Sequence, residues 1–309
     1  QEQGPRQQEL VLQLEAGGAA ARPFLTHYNA YEIDVKLRIS LELYLKRLIC
    51  GDLDKVYEIG RVFRNEGVSN RHNPEFTLLE FYESYSNLED IMVVVEQMFR
   101  TVATEVFGSP VVVVPLEDGG SVTLDFGRDW KRVDMMSEIE RHTGLSRDDL
   151  STLEKAKAAL GARVVTNPVT GKRIDPEGET RLGGLIEKLL EVFVEPTLIE
   201  PTFVVGYPLE TSPLAKKDPE RPGLTRRFEG YIRGREVCNA FSEINDPIDQ
   251  RERFEAQVAE REAGDDEAHP MDEEFIYALE CGMPPTGGCG IGLDRMAMLL
   301  TGADTLRQV

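Results

Sequence analysis

Apolar positions recur along this chain with two different periods, and the switches between them mark out its elements. Leu41, Tyr44, Leu45 and Leu48 fall at helical spacing, which predicts a helix over 41–50. Val56–Phe63 reads as a strand, Asn65–Pro74 as a long polar loop, and Phe76–Ser84 as a second strand with alternating character. Ile91–Val106 is predicted helical, and Val111–Val114 with Val122–Phe126 a short hairpin. From about 132 to 195 the pattern is mostly helical. It is interrupted by turn residues at Asn167–Glu177 and carries an amphipathic stripe of Leu182, Leu185, Ile186, Leu189, Leu190 and Phe193. Strands return at Thr202–Tyr207, Arg227–Ile232 and Glu236–Glu243, and Ile248–Ala263 reads as an acidic amphipathic helix. The chain closes on a glycine-rich strand, 287–292, running into a helix for which Asp294 is the expected N-cap. Strands recur without regular βαβ alternation, so the fold class is α+β with an antiparallel sheet, and 145–200 reads as a helical insertion.

Composition narrows the picture. The 309 residues are 41% hydrophobic and 29% charged, an ordinary folded composition with enough chain to bury a sizeable core. No apolar run approaches the roughly 20 residues of a bilayer span, which rules out a helical membrane protein. Lysine and arginine number 35 against 55 acidic residues, a net charge of −20. Such a chain repels nucleic acid in the mean, so any nucleic-acid contact needs a local basic patch. Cys50, Cys238, Cys281 and Cys289 form no C-x-x-C pair. Neither a disulfide framework nor structural zinc is expected, and a reducing, cytoplasmic setting is. The four thiols are given no catalytic role, and His142 and His269 are read as surface residues. The opening Gln1–Pro5 carries neither an initiator methionine nor a signal peptide and reads as a fragment boundary.

Three clusters carry candidate chemistry. In the first, Arg64 and Glu66 leave one predicted strand, and His72 and Phe76 lead into the next. A guanidinium fork suits a phosphate, a carboxylate two residues on can accept from an adenine amino group, and an aromatic ring can stack on a purine. In the second, Asn239, Phe241 and Glu243 share one face of a strand, an odd composition for a core because a buried unpaired carboxylate is costly. Glu229 and Glu236 flank the turn at Arg233-Gly234, and two such carboxylates suit Mg²⁺ shared with phosphates. The third is Gly287-Gly288-Cys289-Gly290-Ile291-Gly292-Leu293-Asp294-Arg295. Its spacing is not the dinucleotide fingerprint. Arg295 in the first helical turn opposes the helix dipole, so it needs an anionic neighbour or ligand. Taken singly, these charges read as solvated loop and hairpin residues; taken jointly, they read as a site.

Together the clusters resemble motifs 2 and 3 of the class II aminoacyl-tRNA synthetases, and more narrowly the catalytic domain of the bacterial lysyl enzymes. Gly17–Phe24, Glu42–Arg47, Phe63–Gly67, His72–Thr77, Asn239–Glu243 and Gly290–Arg295 occur in the family's order. The resemblance implies an antiparallel sheet flanked by helices, spanning 1–309 as one catalytic domain. It also implies ATP-dependent activation of L-lysine to lysyl-adenylate and transfer to the 3′ end of tRNA(Lys). Carried over by motif, Arg64 holds the α-phosphate, Glu66 reads the adenine edge, His72 contacts the triphosphate, and the purine lies between Phe76 and Arg295. Glu229 and Glu236 match the Mg²⁺ ligands. Gly18, Glu42, Glu80, Tyr82, Asn239, Phe241 and Glu243 match the lysine pocket, with Tyr82 and Glu243 at the side-chain ammonium. A homodimer is the family's form.

The chain also departs from the family. Leu10 stands where the first motif has a proline, Leu41 replaces the usual proline before Glu42, and Lys36 takes a position commonly aromatic, where an inward cation would weaken lysine binding. No anticodon-binding β-barrel is expected before the core, and transfer to tRNA is expected to be weak. Two other readings share these motifs: a paralogue that ligates a lysine-type amino acid to elongation factor P, and a catalytically inactive synthetase-like module.

Overall fold

Strand pairing builds the frame on which every candidate residue sits. The computed structural model describes residues 11–69, 72–116, 119–161, 165–167, 171–265 and 267–309; Leu10 and Arg71 lie outside them. Strands β1 (Leu12–Gln13), β2 (Leu25–Tyr28) and β3 (Ile33–Leu37) make a small antiparallel sheet ahead of helix α1 (Glu42–Cys50). Next come β4 (Lys55–Phe63), β5 (Glu75–Ser84), α2 (Leu88–Phe107) and the hairpin β6 (Val111–Pro115) and β7 (Ser121–Asp125). The middle of the chain holds β8 (Lys131–Asp134), α3 (Met135–Thr143), α4 (Leu153–Leu160), the ribbon β9 (Val165–Thr166) and β10 (Arg173–Ile174), and α5 (Leu182–Leu189). Strands β11 (Thr202–Val205), β12 (Arg227–Ile232) and β13 (Arg235–Ser242) lead to helices α6 (Pro247–Glu262) and α7 (Glu273–Cys281). Strand β14 (Thr286–Gly292) then runs into α8 (Leu293–Thr301).

Seven strands form one sheet in the order β4-β5-β14-β13-β12-β11-β8. All neighbours run antiparallel except β11 and β8, which are parallel. That parallel pair corrects the expected start of the helical stretch at 132. Lys131–Asp134 is mostly charged, so it shows no alternation, and only its pairing with β11 makes it a strand. The small sheet of β1 to β3 also went unread, because every residue of β2 is exposed and no apolar period marks it.

Alternation sends the sheet's side chains to two faces. One face carries Phe203, Phe228, Ala240, Cys289 and Ile291, and packs under Ile91, Val95 and Phe99 of α2. Helix α2 opens with a reciprocal capping box between Asn87 and Asp90 and closes on Gly108 at φ +74°, a left-handed turn that glycine adopts without strain. Among the described residues, the opposite face is covered only at its ends. Leu41, just ahead of α1, packs with Leu45 of α1, Phe254 of α6 and Phe275 of α7 at the β5 end. Leu185, Leu189 and their neighbours pack against Val204 and Tyr231 at the β11 end. Between these two clusters the face lies open as a trough. No helix among the described residues is long and apolar enough to cross a membrane.

Candidate functional site

The trough is built from two rows of residues running across the sheet. In register, Glu229 lies beside Asn239, Asn239 beside Gly290, and Gly290 beside Glu80. One step along the strands, Arg227, Phe241, Gly288 and Tyr82 form the second row. Glycines on the central strand make the hollow. A Cβ on Gly288 would lie 2.3 Å from Glu243 Oε1 and 2.4 Å from Tyr82 Cε1, whereas one on Gly290 would meet Glu80 Cγ at an ordinary 3.6 Å. The resulting cavity of about 330 Å³ is lined by all fourteen sequence-predicted site residues. Arg227, Asp294 and His269 line it as well.

One end is acidic and buried. Glu42, Glu80 and Glu243 are each less than 10% exposed. Tyr82 donates to Glu80 Oε2 at 3.1 Å, and the backbone N–H of Leu41 donates to Glu80 Oε1 at 3.2 Å. A proline at position 41 would have no N–H to give. Burial, reinforced by Glu42, pushes the Glu80 carboxyl up to about 8, so it is protonated at neutral pH. The ammonium of Lys46 is ion-paired to both Glu42 and Glu243, with its Nζ 5.2 Å from the Phe241 ring centre. Burial opposes its charge, but Glu243 and Glu42 together raise the Lys46 pKa. Glu243 Oε1 has no hydrogen-bond partner among the described residues.

Glu80 gives a test of this electrostatics that needs no substrate. The folded chain keeps a proton on Glu80 that an unfolded carboxyl releases near 4.5. Stability therefore falls as pH rises from about 4.5 to about 8, and the loss is complete above that window. Glu80→Gln should match the wild type at pH 5 and exceed it at pH 9 by on the order of a few kcal/mol, measured by urea unfolding at both pH values. An equal difference at both would show that Glu80 does not titrate in this window.

The other end is basic. Arg64 is held by its Nε, which donates to Ile39 O at 3.2 Å, and its guanidinium lies over the Phe76 ring at 5.1 Å. Burial pulls its pKa down, while Glu66, Glu80 and Glu236 act to support its charge. Glu66 Oε1 is buried without a hydrogen-bond partner among the described residues. His72 is exposed, with Nδ1 2.9 Å from Ser69 Oγ. Arg295 sits in the first turn of α8 and donates to Glu236 Oε2 at 2.8 Å, which supplies the anionic neighbour its position requires. Burial pushes the Glu236 carboxyl up, but Arg295, Arg64 and Arg227 outweigh it and hold it below the usual carboxylate range. The N-cap position of α8 is Gly292; Asp294 lies inside the first turn and accepts from the Thr77 N–H instead.

Glu229 is more engaged than the sequence suggested. It accepts from Arg227 at 2.5 Å, Tyr231 at 2.6 Å and Tyr207 at 2.8 Å. Burial and then Glu229 push the neighbouring Glu195 up to about 7. Lys36 proved harmless to the pocket: on β3 it is ion-paired to Glu15 and does not line the cavity. His269 is the clearest correction. It is 1% exposed rather than on the surface, and burial takes its pKa down to about 4. Sequence reasoning also missed Arg227 and gave Lys46 no role of its own. Arg227 had a signal, since it lies two positions before Glu229 and so on the same strand face; a lone histidine in a loop has none.

Residues 11–309 match the family described as tRNA synthetases class II (D, K and N). The chain is 51% identical over 293 residues to a lysine–tRNA ligase of Bacillus subtilis, covering 95% of this chain and 56% of that protein. It is 52% identical to the lysine–tRNA ligases of Moorella thermoacetica and Staphylococcus saprophyticus, over 95% of this chain and 57% of each. The chain thus spans a little over half the length of these relatives. With the match running through both rows of the trough, the chain belongs to the class II tRNA synthetases of the D, K and N group.

Proposed function

We propose that 1–309 is the catalytic domain of a cytoplasmic lysine–tRNA ligase. It makes lysyl-adenylate from L-lysine and ATP and passes the lysyl group to the 3′ end of tRNA(Lys). The observation that carries this reading is the polarity of the trough, with the buried carboxyl groups of Glu42, Glu80 and Glu243 at one end and Arg64 and Arg295 at the other. A diamino acid fits the first end, where Glu243 and Tyr82 would meet the side-chain ammonium and Glu42, with Gly18 and Asn239, the α-amino end. A nucleoside triphosphate fits the second end, with its purine against Phe76, its amino group on Glu66, and its phosphates on Arg64, His72 and Arg295.

In the reaction a lysine carboxylate oxygen attacks the α-phosphorus. A new P–O bond forms as the bond to the β-phosphate oxygen breaks, and pyrophosphate leaves. The protein's part is alignment and charge stabilisation, with Arg64 placed for the α-phosphate. Glu229 and Glu236 offer carboxylate oxygens, and after burial they add to the upward push on the neighbouring Glu195, a like-charge repulsion that a hard divalent cation would relieve. They would hold Mg²⁺, whose contribution when bound is to neutralise phosphate charge. Exposed Leu25, Tyr31, Tyr57 and Ile59 on β2 to β4 support a homodimer.

The test is ATP–pyrophosphate exchange with α-lysine, β-lysine and aspartate in parallel. Exchange is expected with α-lysine and not with aspartate. Preference for β-lysine would point to ligation onto a protein, and no exchange with any of them would overturn the reading.

A further inference from the structure

His269 reaches the pocket from a distant part of the chain. The Gly18 N–H donates to His269 Nε2 at 2.5 Å across 251 residues of sequence. Because a backbone N–H can only donate, Nε2 is the acceptor, and the ring proton belongs on Nδ1, which lies 3.0 Å from Pro270 O. The ring is stacked on Phe254, with centroids 4.8 Å apart and planes 12° apart. Its backbone N–H donates to Gln257 Oε1 at 3.2 Å. Orientation and tautomer are thereby both set. The nearby charges are Asp272, which favours protonation, and Lys46 and Arg261, which oppose it.

The other end of this contact is equally constrained. Gly18 has φ +88°, in the left-handed region, and a Cβ there would fall 2.2 Å from Ser40 Oγ and 2.9 Å from Glu42 Cβ. A Cβ on Gly17 would fall 2.7 Å from the His269 ring. Ser40 Oγ donates to Gly17 O at 3.2 Å and accepts from the Glu42 N–H at 3.1 Å. A continuous chain of contacts therefore runs from the imidazole, through the Gly17-Gly18 peptide and Ser40, to the start of α1 where Glu42 sits.

We propose that His269 is a positioning residue for the amino-acid end of the pocket. By holding the Gly18 N–H it sets the Gly17-Gly18 turn against Glu42, and so sets lysine affinity without being a ligand itself. The inference rests on the lysine-activating reading.

It is tested with His269→Ala and with His269→Gln, whose side-chain oxygen can still accept. The Ala variant is expected to raise the KM for lysine about fivefold to tenfold, the worth of one hydrogen bond. The KM for ATP and kcat should stay within about twofold, and the Gln variant should recover part of the lysine KM. Amide exchange at Gly18, read by mass spectrometry or NMR without any substrate, should be slow in the wild type and fast in the Ala variant. Unchanged exchange at Gly18, or a KM that rises equally for lysine and ATP, overturns the proposal. A wild-type chain that activates no lysine overturns the functional reading and the lysine role of His269 with it. In that case altered Gly18 exchange would show that the contact itself is real.

Discussion

Arg64→Ala is expected to lower kcat/KM for lysine-dependent pyrophosphate exchange by about 10³-fold, within the range measured when a single charge-stabilising donor or arginine is removed from a transition state. The side chain is restrained from both sides, by Ile39 O at its Nε and by Phe76 beneath the guanidinium. Its terminal nitrogens make no hydrogen bond to any described residue, so they are available to an anion. Glu66, Glu80 and Glu236 keep the group charged despite its burial. Arg64→Lys should rescue little, because an ammonium cannot reproduce the planar fork. The loss should fall mainly on kcat, since the charge on phosphorus develops during the reaction. Burial of the guanidinium is itself unfavourable, so thermal unfolding of the variant should stay close to wild type. Exchange within about tenfold of wild type would remove Arg64 from the catalytic set.

What the sequence made legible, and what it did not, follows from the range of the interactions involved. The two long strands of 55–84 were readable because their alternation is local and their connecting loop is polar. The amphipathic stripe from Leu182 onward was readable for the same reason, and it packs on Val204 and Tyr231. Strand β8 was not, because a short charged edge strand has no period of its own and is defined by its neighbour. Site residues divide in the same way. Those within compact motifs, such as Arg64 with Glu66 or Asn239 with Phe241, could be placed from spacing and resemblance. Lys46 looked like an ordinary helical partner of Glu42 four residues earlier. Its burial depends on Glu243, which reaches it from beyond the end of β13. The role of His269 depends on Gly18, and no local pattern could announce that contact.

Glu243→Gln is expected to raise the KM for lysine by about 10²-fold to 10³-fold, and to destabilise the fold by about 3 kcal/mol. Both effects stem from a buried charge left short of a partner. They have different owners, however. Glu243 Oε2 faces the Lys46 ammonium, whereas Oε1 has no hydrogen-bond partner among the described residues and points at the backbone of Gly288, where the cavity opens. Lys46, at 1% exposure, would keep only Glu42 once Glu243 became an amide. The stability loss therefore belongs to the internal pair, and the affinity loss to the oxygen aimed into the cavity. Adding Lys46→Met separates the two. The double variant removes the stranded ammonium and should recover most of the lost stability, since an apolar side chain of similar length suits the Phe241 and Phe275 rings that surround it. It should not recover the lysine KM, because the missing carboxylate is still missing. Urea unfolding and lysine-dependent exchange on the same preparations measure the two quantities side by side. Recovery of both in the double variant would mean that Glu243 serves only to neutralise Lys46, and the ammonium of a bound lysine would then have to be met by Glu42 and Glu80.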